Sequence, residues 1–227
     1  MKVKLIASTT FTVDDAADVF DETEWSPAFP DTSSDSLAEF AGRACYQSFD
    51  RPNHKTATND GYLANILKQK HESVLEHASA TFYIEGVSRY LTHELVRHRH
   101  LSFSQLSTRY VSGAQPVRHP GMDDFEWQLY QESFRRQAKY YETIVEDMLS
   151  RGMKRKEARE AARSFLPGGL ETKVVVTGNH RAWRDVLKKR WHVAADAEIR
   201  LLAGELLTAL RGIAPNTYQD VPETPYT

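Results

Sequence analysis

Apolar and polar positions alternate over residues 79–87, with Ala80, Phe82 and Ile84 on one side and Thr81, Tyr83 and Glu85 on the other. A period of two predicts a strand with one face on the core. Residues 3–8 and the largely β-branched run 172–177 predict two more strands. Elsewhere the period is helical. Leu37, Phe40, Ala41 and Cys45 recur at helical spacing in 36–46, and Thr58 is placed to cap a helix running to Gln69. Leu91, Leu95 and His98 share one side of a helix predicted from Arg89 to about His98. Residues 123–150 predict a long amphipathic helix. Gly152 breaks it, and a second helix follows over 155–165 until Pro167-Gly168-Gly169, giving a long helical pair at about 123–165. Two more helices are predicted over 181–190 and 194–213. The acidic, turn-rich stretch 13–34 reads as a loop with short helical pieces. So does 111–122, which holds two prolines and two glycines, as a plain loop. The fold class predicted is α+β, a mixed sheet packed with several helices. No repeat, low-complexity tract or linker divides residues 1–227, which read as a single domain.

Composition changes this picture little. Of 227 residues, 41% are apolar and 26% charged, an ordinary globular balance. The formal charge of -2 argues against a general nucleic-acid binder, so any strong cationic patch must be local. No apolar run is long enough to cross a bilayer. Met1 to Ile6 reads as a strand, not a leader peptide, and the expected location is the cytoplasm. Cys45 is the only cysteine, so no intrachain disulfide can form. With Leu37, Ala41 and Ala44 around it, Cys45 is expected to be a small buried apolar residue of a helix contact, not a nucleophile.

The local patch lies between Arg97 and Tyr110, where Arg97, Arg99 and Arg109 are interleaved with Ser102, Ser104, Ser107 and Thr108. Guanidinium forks pair bidentately with phosphate oxygens, and hydroxyls and loop amides can fill the remaining lone pairs. A solvated basic face is the alternative. Against it, Leu91, Leu95, Leu101, Phe103 and Leu106 pull the segment toward a core, and buried arginines need anionic partners. Few acids lie in the segment, so a bound polyanion is expected. A metal is not: His93-Glu94 has its next histidine five positions on, at His98, which a helix turns away by roughly 140°. His71-Glu72 has its next histidine six positions on, at His77, and Arg97 and Arg99 would repel a dication.

The pattern Arg-His-Arg, two residues, Ser, four residues, Ser, one residue, Arg resembles the signature of flavin-dependent thymidylate synthases. Arg97, His98, Arg99, Ser102, Ser107 and Arg109 fill all of its fixed positions. The resemblance covers most of the chain. It takes in 41–46, the histidine segment 71–77, Arg163 before Leu166-Pro167, and the region from Asn179 through Arg190 to Arg200.

That resemblance implies a homotetramer with active sites between subunits. It also implies methylation of dUMP to dTMP, with methylenetetrahydrofolate as one-carbon donor, NADPH as reductant and FAD as hydride carrier, without a cysteine nucleophile. Carried over by position, Ser73, Arg97, His98, Arg99, Gln105, Asn179, His180, Arg181 and Asp185 would contact FAD. Glu94, Leu95, Val96, Arg97, Gln105, Leu106, Ser107, Thr108, Arg109, Arg163 and Arg190 would contact dUMP. Arg190 would sit at the uracil edge and activate the ring, and His71 would lie near flavin and folate. Tyr46, Arg89 and Tyr110 are weaker candidates. The resemblance places Arg163 on a different subunit from Arg97, Arg109 and Arg190. The family carries His where this chain has Ala194, and Asn or His where it has Asp185; His192 stands two residues before Ala194.

Bottom-up, the chemistry and the residues agree. A cation at the O2/N3 edge stabilises negative charge developing on uracil, and phosphate binding orients the ring. No G-x-G-x-x-G segment is present, so FAD must bind outside a dinucleotide fold. Two other classes use the same arginines: a nucleotide-binding regulator without catalysis, and an RNA-binding protein with 97–109 as a basic loop. The remaining site residues have structural readings too. His71 and His77 can pack around the following strand, and Asn179 can be a turn residue. Arg181 can be a surface charge, Arg190 can favour its helix end, and Arg163 can pair with Glu157 or Glu160.

Overall fold

A computed structural model describes residues 1–12, 15–16, 33–49, 53–111, 113 and 115–227. Most of the loop expected over 13–34 lies outside these residues. Four strands make one sheet: β1 (Lys2–Ser8), β2 (Ser79–Ser88), β3 (Ser102–Gln105) and β4 (Glu171–Asn179), in the order β1-β2-β4-β3. Every ladder is antiparallel. The expected mixed sheet is therefore corrected. Among the described residues no strand–helix–strand crossover joins neighbouring strands in parallel, and each strand lies against one running the other way. β3 is the strand the alternation missed, because its four residues, Ser-Phe-Ser-Gln, are too short and polar to show a pattern.

β2 and β4 bury one face as their alternation predicts. Ala80, Phe82, Ile84, Val174 and Val176 are almost fully enclosed. Two helices cover that face: α6 (His180–Arg190) and α7 (Ala197–Ile213). Trp183 of α6 meets Phe82 edge-on at 5.1 Å and donates its indole N–H to the Ala80 carbonyl. Large aromatics buried this way each contribute about 2–3 kcal/mol from area alone. Gly86 takes φ 71° at the bulge between Glu85 and Val87, a backbone shape that suits glycine.

Among the described residues five further helices complete the chain: α1 (Ser33–Tyr46), α2 (Asn59–Gln69), α3 (Arg89–Leu95), α4 (Asp124–Ser150) and α5 (Arg155–Ala162). Thr58 occupies the N-cap position of α2, as expected, though its side chain makes no capping bond. α4 is 27 residues long and opens on a capping box between Asp123 and Glu126. α5 has only eight residues, passing into a 3-10 turn at Arg163–Phe165. No helix is long and apolar enough to cross a membrane among the described residues. Cys45 is exposed, which corrects the expectation of a buried contact. It stands in the last turn of α1, beyond Gly42 and Arg43, the last fully buried positions of that helix, and half-buried Ala44.

Candidate active site

The site is organised by α3, which is fixed before it begins. Ser88 caps it by accepting from the Leu91 amide, and buried Glu198 of α7 accepts from both the Ser88 amide and hydroxyl. Leu91 and Leu95 lie on the core, as does Leu101 after the turn. The helix stops at Leu95, three residues before its expected end, yet His98 is still buried. Between the apolar anchors, Val96, Arg97, Arg99 and His100 are exposed. The expectation of buried arginines is thus corrected: Leu95 and Leu101 enter the core, and the turn between them carries Arg97 and Arg99 outward. Neither guanidinium has a hydrogen bond or ion pair among the described residues.

His98 sits between two side chains of α6. Its Nδ1 is 3.1 Å from Asp185 Oδ2, and Arg190 donates its Nε–H to His98 Nε2 at 3.1 Å. Arg190 also reaches Glu94 twice, through Nη1 to the carboxylate at 2.5 Å and through Nη2 to the backbone carbonyl at 3.1 Å. Burial lowers the His98 pKa and the adjacent Arg190 charge adds to this, while the Asp185 hydrogen bond opposes them. Burial alone would raise the Asp185 carboxyl, but hydrogen bonds from Lys189 and His98 hold it below its ordinary value.

A second group forms where β3 leaves the sheet. Gln105 donates from Nε2 toward the hydroxyls of Thr92 and Thr172, and the Leu106 amide donates to the Lys173 carbonyl. Ser107, Thr108 and Arg109 follow as a half-buried turn. Arg89, Thr108, Arg163 and Gly168 line a cleft of about 470 Å³. A Cβ on Gly168 would stand 2.3 Å from the Tyr90 ring, so a larger residue there would have to displace that exposed ring. Burial lowers the Arg89 pKa, and Arg163 adds a like charge. Neither side chain has a carboxylate partner among the described residues. Glu160, which with Glu157 is the structural alternative for Arg163, instead pairs with Arg109 at 3.6 Å. Arg109 and Arg163 therefore sit together in one chain. No hydrogen bond or ion pair joins this group to the Glu94–His98–Arg190 group among the described residues.

The remaining candidates lie near the start of α6. Asn179 is its N-cap, accepting from the Ala182 amide. His71 and Ser73 are exposed at the 3-10 turn Glu72–Glu76, and Glu76 pairs with Arg181. His180 is 1% exposed, with Nδ1 2.8 Å from the Tyr218 hydroxyl. Burial pushes its pKa down to about 4. The Ala194 amide donates to the His192 ring. Thr92 and Glu198 are supporting residues that sequence reasoning missed, and Glu160 takes a different partner from Arg163. Only the position of Thr92, on the helix before the signature, could have signalled one of them. No group of three His, Cys, Asp or Glu side chains stands ready for a metal among the described residues.

The model of one protein family, described as thymidylate synthase complementing protein, matches residues 30–216. The chain is similar, at 52% identity over its whole length and 99% of the relative, to a Mycobacterium phage L5 protein named "Probable flavin-dependent thymidylate synthase". It is 45% identical to a protein named "Flavin-dependent thymidylate synthase" from Mycobacterium avium (strain 104), over 97% of this chain and 89% of that one. A protein of the same name from Mycobacterium tuberculosis (strain ATCC 25177 / H37Ra) is likewise 45% identical, over 99% of this chain and 91% of that one.

Proposed function

The chain belongs to the thymidylate synthase complementing protein family, and from that premise we propose that it converts dUMP to dTMP with FAD, methylenetetrahydrofolate and NADPH. The observation that carries this reading is how the signature folds. His98 is buried against Arg190, while Arg97 and Arg99 on either side of it are exposed, with no side-chain hydrogen bond or ion pair among the described residues. Two exposed guanidiniums two residues apart in the chain are the kind of donor set a pyrophosphate requires, so the residues fit FAD. Ser73, Gln105, Asn179 and Arg181 are its further candidate contacts, while His180 and Asp185 stand behind them, engaged with Tyr218 and His98. When bound, FAD supplies hydride, so no protein nucleophile is needed.

The protein's part is to bind and orient. Arg89, Arg163 and Thr108 line a cleft suited to the phosphate of dUMP, Arg109 stands beside it through its pair with Glu160, and Ser107 offers a backbone donor there, while the Leu106 amide is held by the Lys173 carbonyl. Arg190 has five N–H donors. Three are used by His98 and Glu94, leaving one on each terminal nitrogen for uracil oxygens. Leu95, itself enclosed, and Val96 set the backbone height of that edge. His71, exposed before the 3-10 turn, is the residue proposed to face flavin and folate.

The assembly proposed is a homotetramer with sites between subunits, in the cytoplasm. Phe125, Leu129 and Tyr140 are exposed along one side of α4, within about 60° of one another around the helix. Such a stripe on a helix suits an isologous contact. The long helical pair around 123–165 would supply both this surface and Arg163. The reading is tested by titrating the purified protein with FAD. Quenched flavin fluorescence and a bound visible spectrum are expected, and a protein that binds no FAD would contradict it.

A further inference from the structure

Glu94, His98, Asp185 and Arg190 form one connected path of hydrogen bonds, and the position of each proton along it can be deduced. An arginine has donors only. Its Nε–H to His98 Nε2 therefore requires a lone pair on Nε2. A neutral imidazole with that lone pair carries its proton on Nδ1, where Asp185 Oδ2 accepts it. The opposite tautomer, or a protonated ring, would set an N–H of His98 against the N–H of Arg190. Arg190 would then lose the contact that holds Nε, keeping only Glu94.

We propose that Asp185 is a positioning residue for the reaction: through Nδ1–H of His98 it holds the ring in the tautomer that accepts from Arg190, and so aims the arginine at substrate. The inference rests on the reading of Arg190 as the residue at the uracil edge. It gives Asp185 a task within the chain instead of a contact with flavin. The groups facing His98 are Asp185, Lys189 and Arg190 from α6, with Glu94 of α3 behind Arg190. Lys189 engages both carboxylate oxygens of Asp185, at 2.9 and 2.7 Å, but not the histidine. His98 is enclosed, so no solvent dipole can replace the lost acceptor easily.

A pH dependence follows. Only neutral His98 can accept from Arg190, so protonation should produce an acid limb in the dUMP-dependent step. Asp185 favours the protonated ring. Asp185→Asn keeps an oxygen acceptor but removes the charge, so the limb should move to lower pH with most of the plateau rate retained. A purely structural role for Asp185 would leave the limb in place.

The experiment uses the FAD-loaded enzyme, reduced with NADPH without oxygen, and follows flavin reoxidation on adding dUMP and methylenetetrahydrofolate. Asp185→Leu should slow this step about tenfold, with the Kd for FAD changed less than twofold. Lys189→Gln should leave the rate near that of the parent. A weakened FAD Kd with an unchanged step, an acid limb that Asp185→Asn leaves unmoved, or an equal loss in Lys189→Gln would each overturn the inference. If Asp185→Leu does not fold, 15N histidine NMR of the parent decides: the Nδ1–H tautomer of His98 is expected, and the Nε2–H tautomer overturns it. The same spectrum separates the two readings. Turnover with the Nε2–H tautomer removes the inference alone, whereas the Nδ1–H tautomer in a protein that never converts dUMP removes the proposed activity.

Discussion

Arg190 and His98, 92 positions apart, meet where an arginine N–H enters the lone pair of a buried imidazole at 3.1 Å. The two residues come from helices on either side of the site, α6 and the turn after α3. Their contact connects the cationic signature to the C-terminal half of the chain. It also determines how the central arginine is presented, because His98 and Glu94 fix three of its five donors.

Replacing that arginine should separate binding from chemistry. Loss of a charge-assisted contact costs about 1.5–3 kcal/mol, or roughly ten- to a hundredfold. Arg190→Ala should slow dUMP-dependent flavin oxidation by that factor while FAD binding persists. Stopped-flow absorbance and a flavin titration measure the two effects. Unchanged dUMP kinetics would return Arg190 to the role of a charge at a helix end.

Cys45 offers the complementary control. It is exposed at the end of α1, so Cys45→Ser should lose neither packing nor turnover. A well-folded variant with no dTMP formation would demand a thiol mechanism.

The pattern of the chain made much of this legible. Alternation in 79–87 and 172–177 located the two central strands and their buried faces, since each strand presents one face to α6 and α7. Helix limits were close wherever a cap or a breaker was local, as at Asp123 and Gly152. What depended on distant partners was not legible. α3 ends early because the turn carrying His98 meets Asp185 and Arg190, which lie far along the chain. The exposure of Arg97 and Arg99 was misread because buried neighbours at 95 and 101 constrain the turn's ends, not the side chains between them. The signature named most residues of the candidate site. It held no sign that Glu160 would take Arg109 or that Glu198 would anchor Ser88.

His180 gives a pH prediction with a definite sign. Its folded-state pKa, about 4, lies below the ordinary value of 6.5 because burial disfavours the charged ring. The unfolded chain therefore binds the proton first. The stability contributed by the neutral ring is complete above pH 6.5 and is lost as pH falls toward 4, by about 3 kcal/mol in all. The double variant His180→Phe, Tyr218→Phe removes both polar partners. Its Tm should fall less steeply than the parent's between pH 7 and 4.5. Equal slopes would mean that His180 is not the titrating group.

The grouping of arginines predicts a pattern of complementation between inactive variants. If sites form between subunits, with Arg163 and Arg190 from different chains, mixing dissociated Arg163→Ala and Arg190→Ala proteins should restore about a quarter of the sites by random assortment. Arg109 pairs with Glu160 beside Arg163 in the same chain, so Arg109→Ala mixed with Arg163→Ala should restore none. Recovery in neither mixture, despite proven subunit exchange, would place every site within one chain.

The most direct measurement of the central claim is an anaerobic single turnover. The FAD-loaded protein is reduced with NADPH, then mixed with dUMP and methylenetetrahydrofolate, and nucleotides are separated after quenching. Reoxidised flavin and dTMP are expected in equal amounts, with no reoxidation when dUMP is left out. Flavin that stays reduced with all substrates present, or reoxidises without forming dTMP, would contradict the claim.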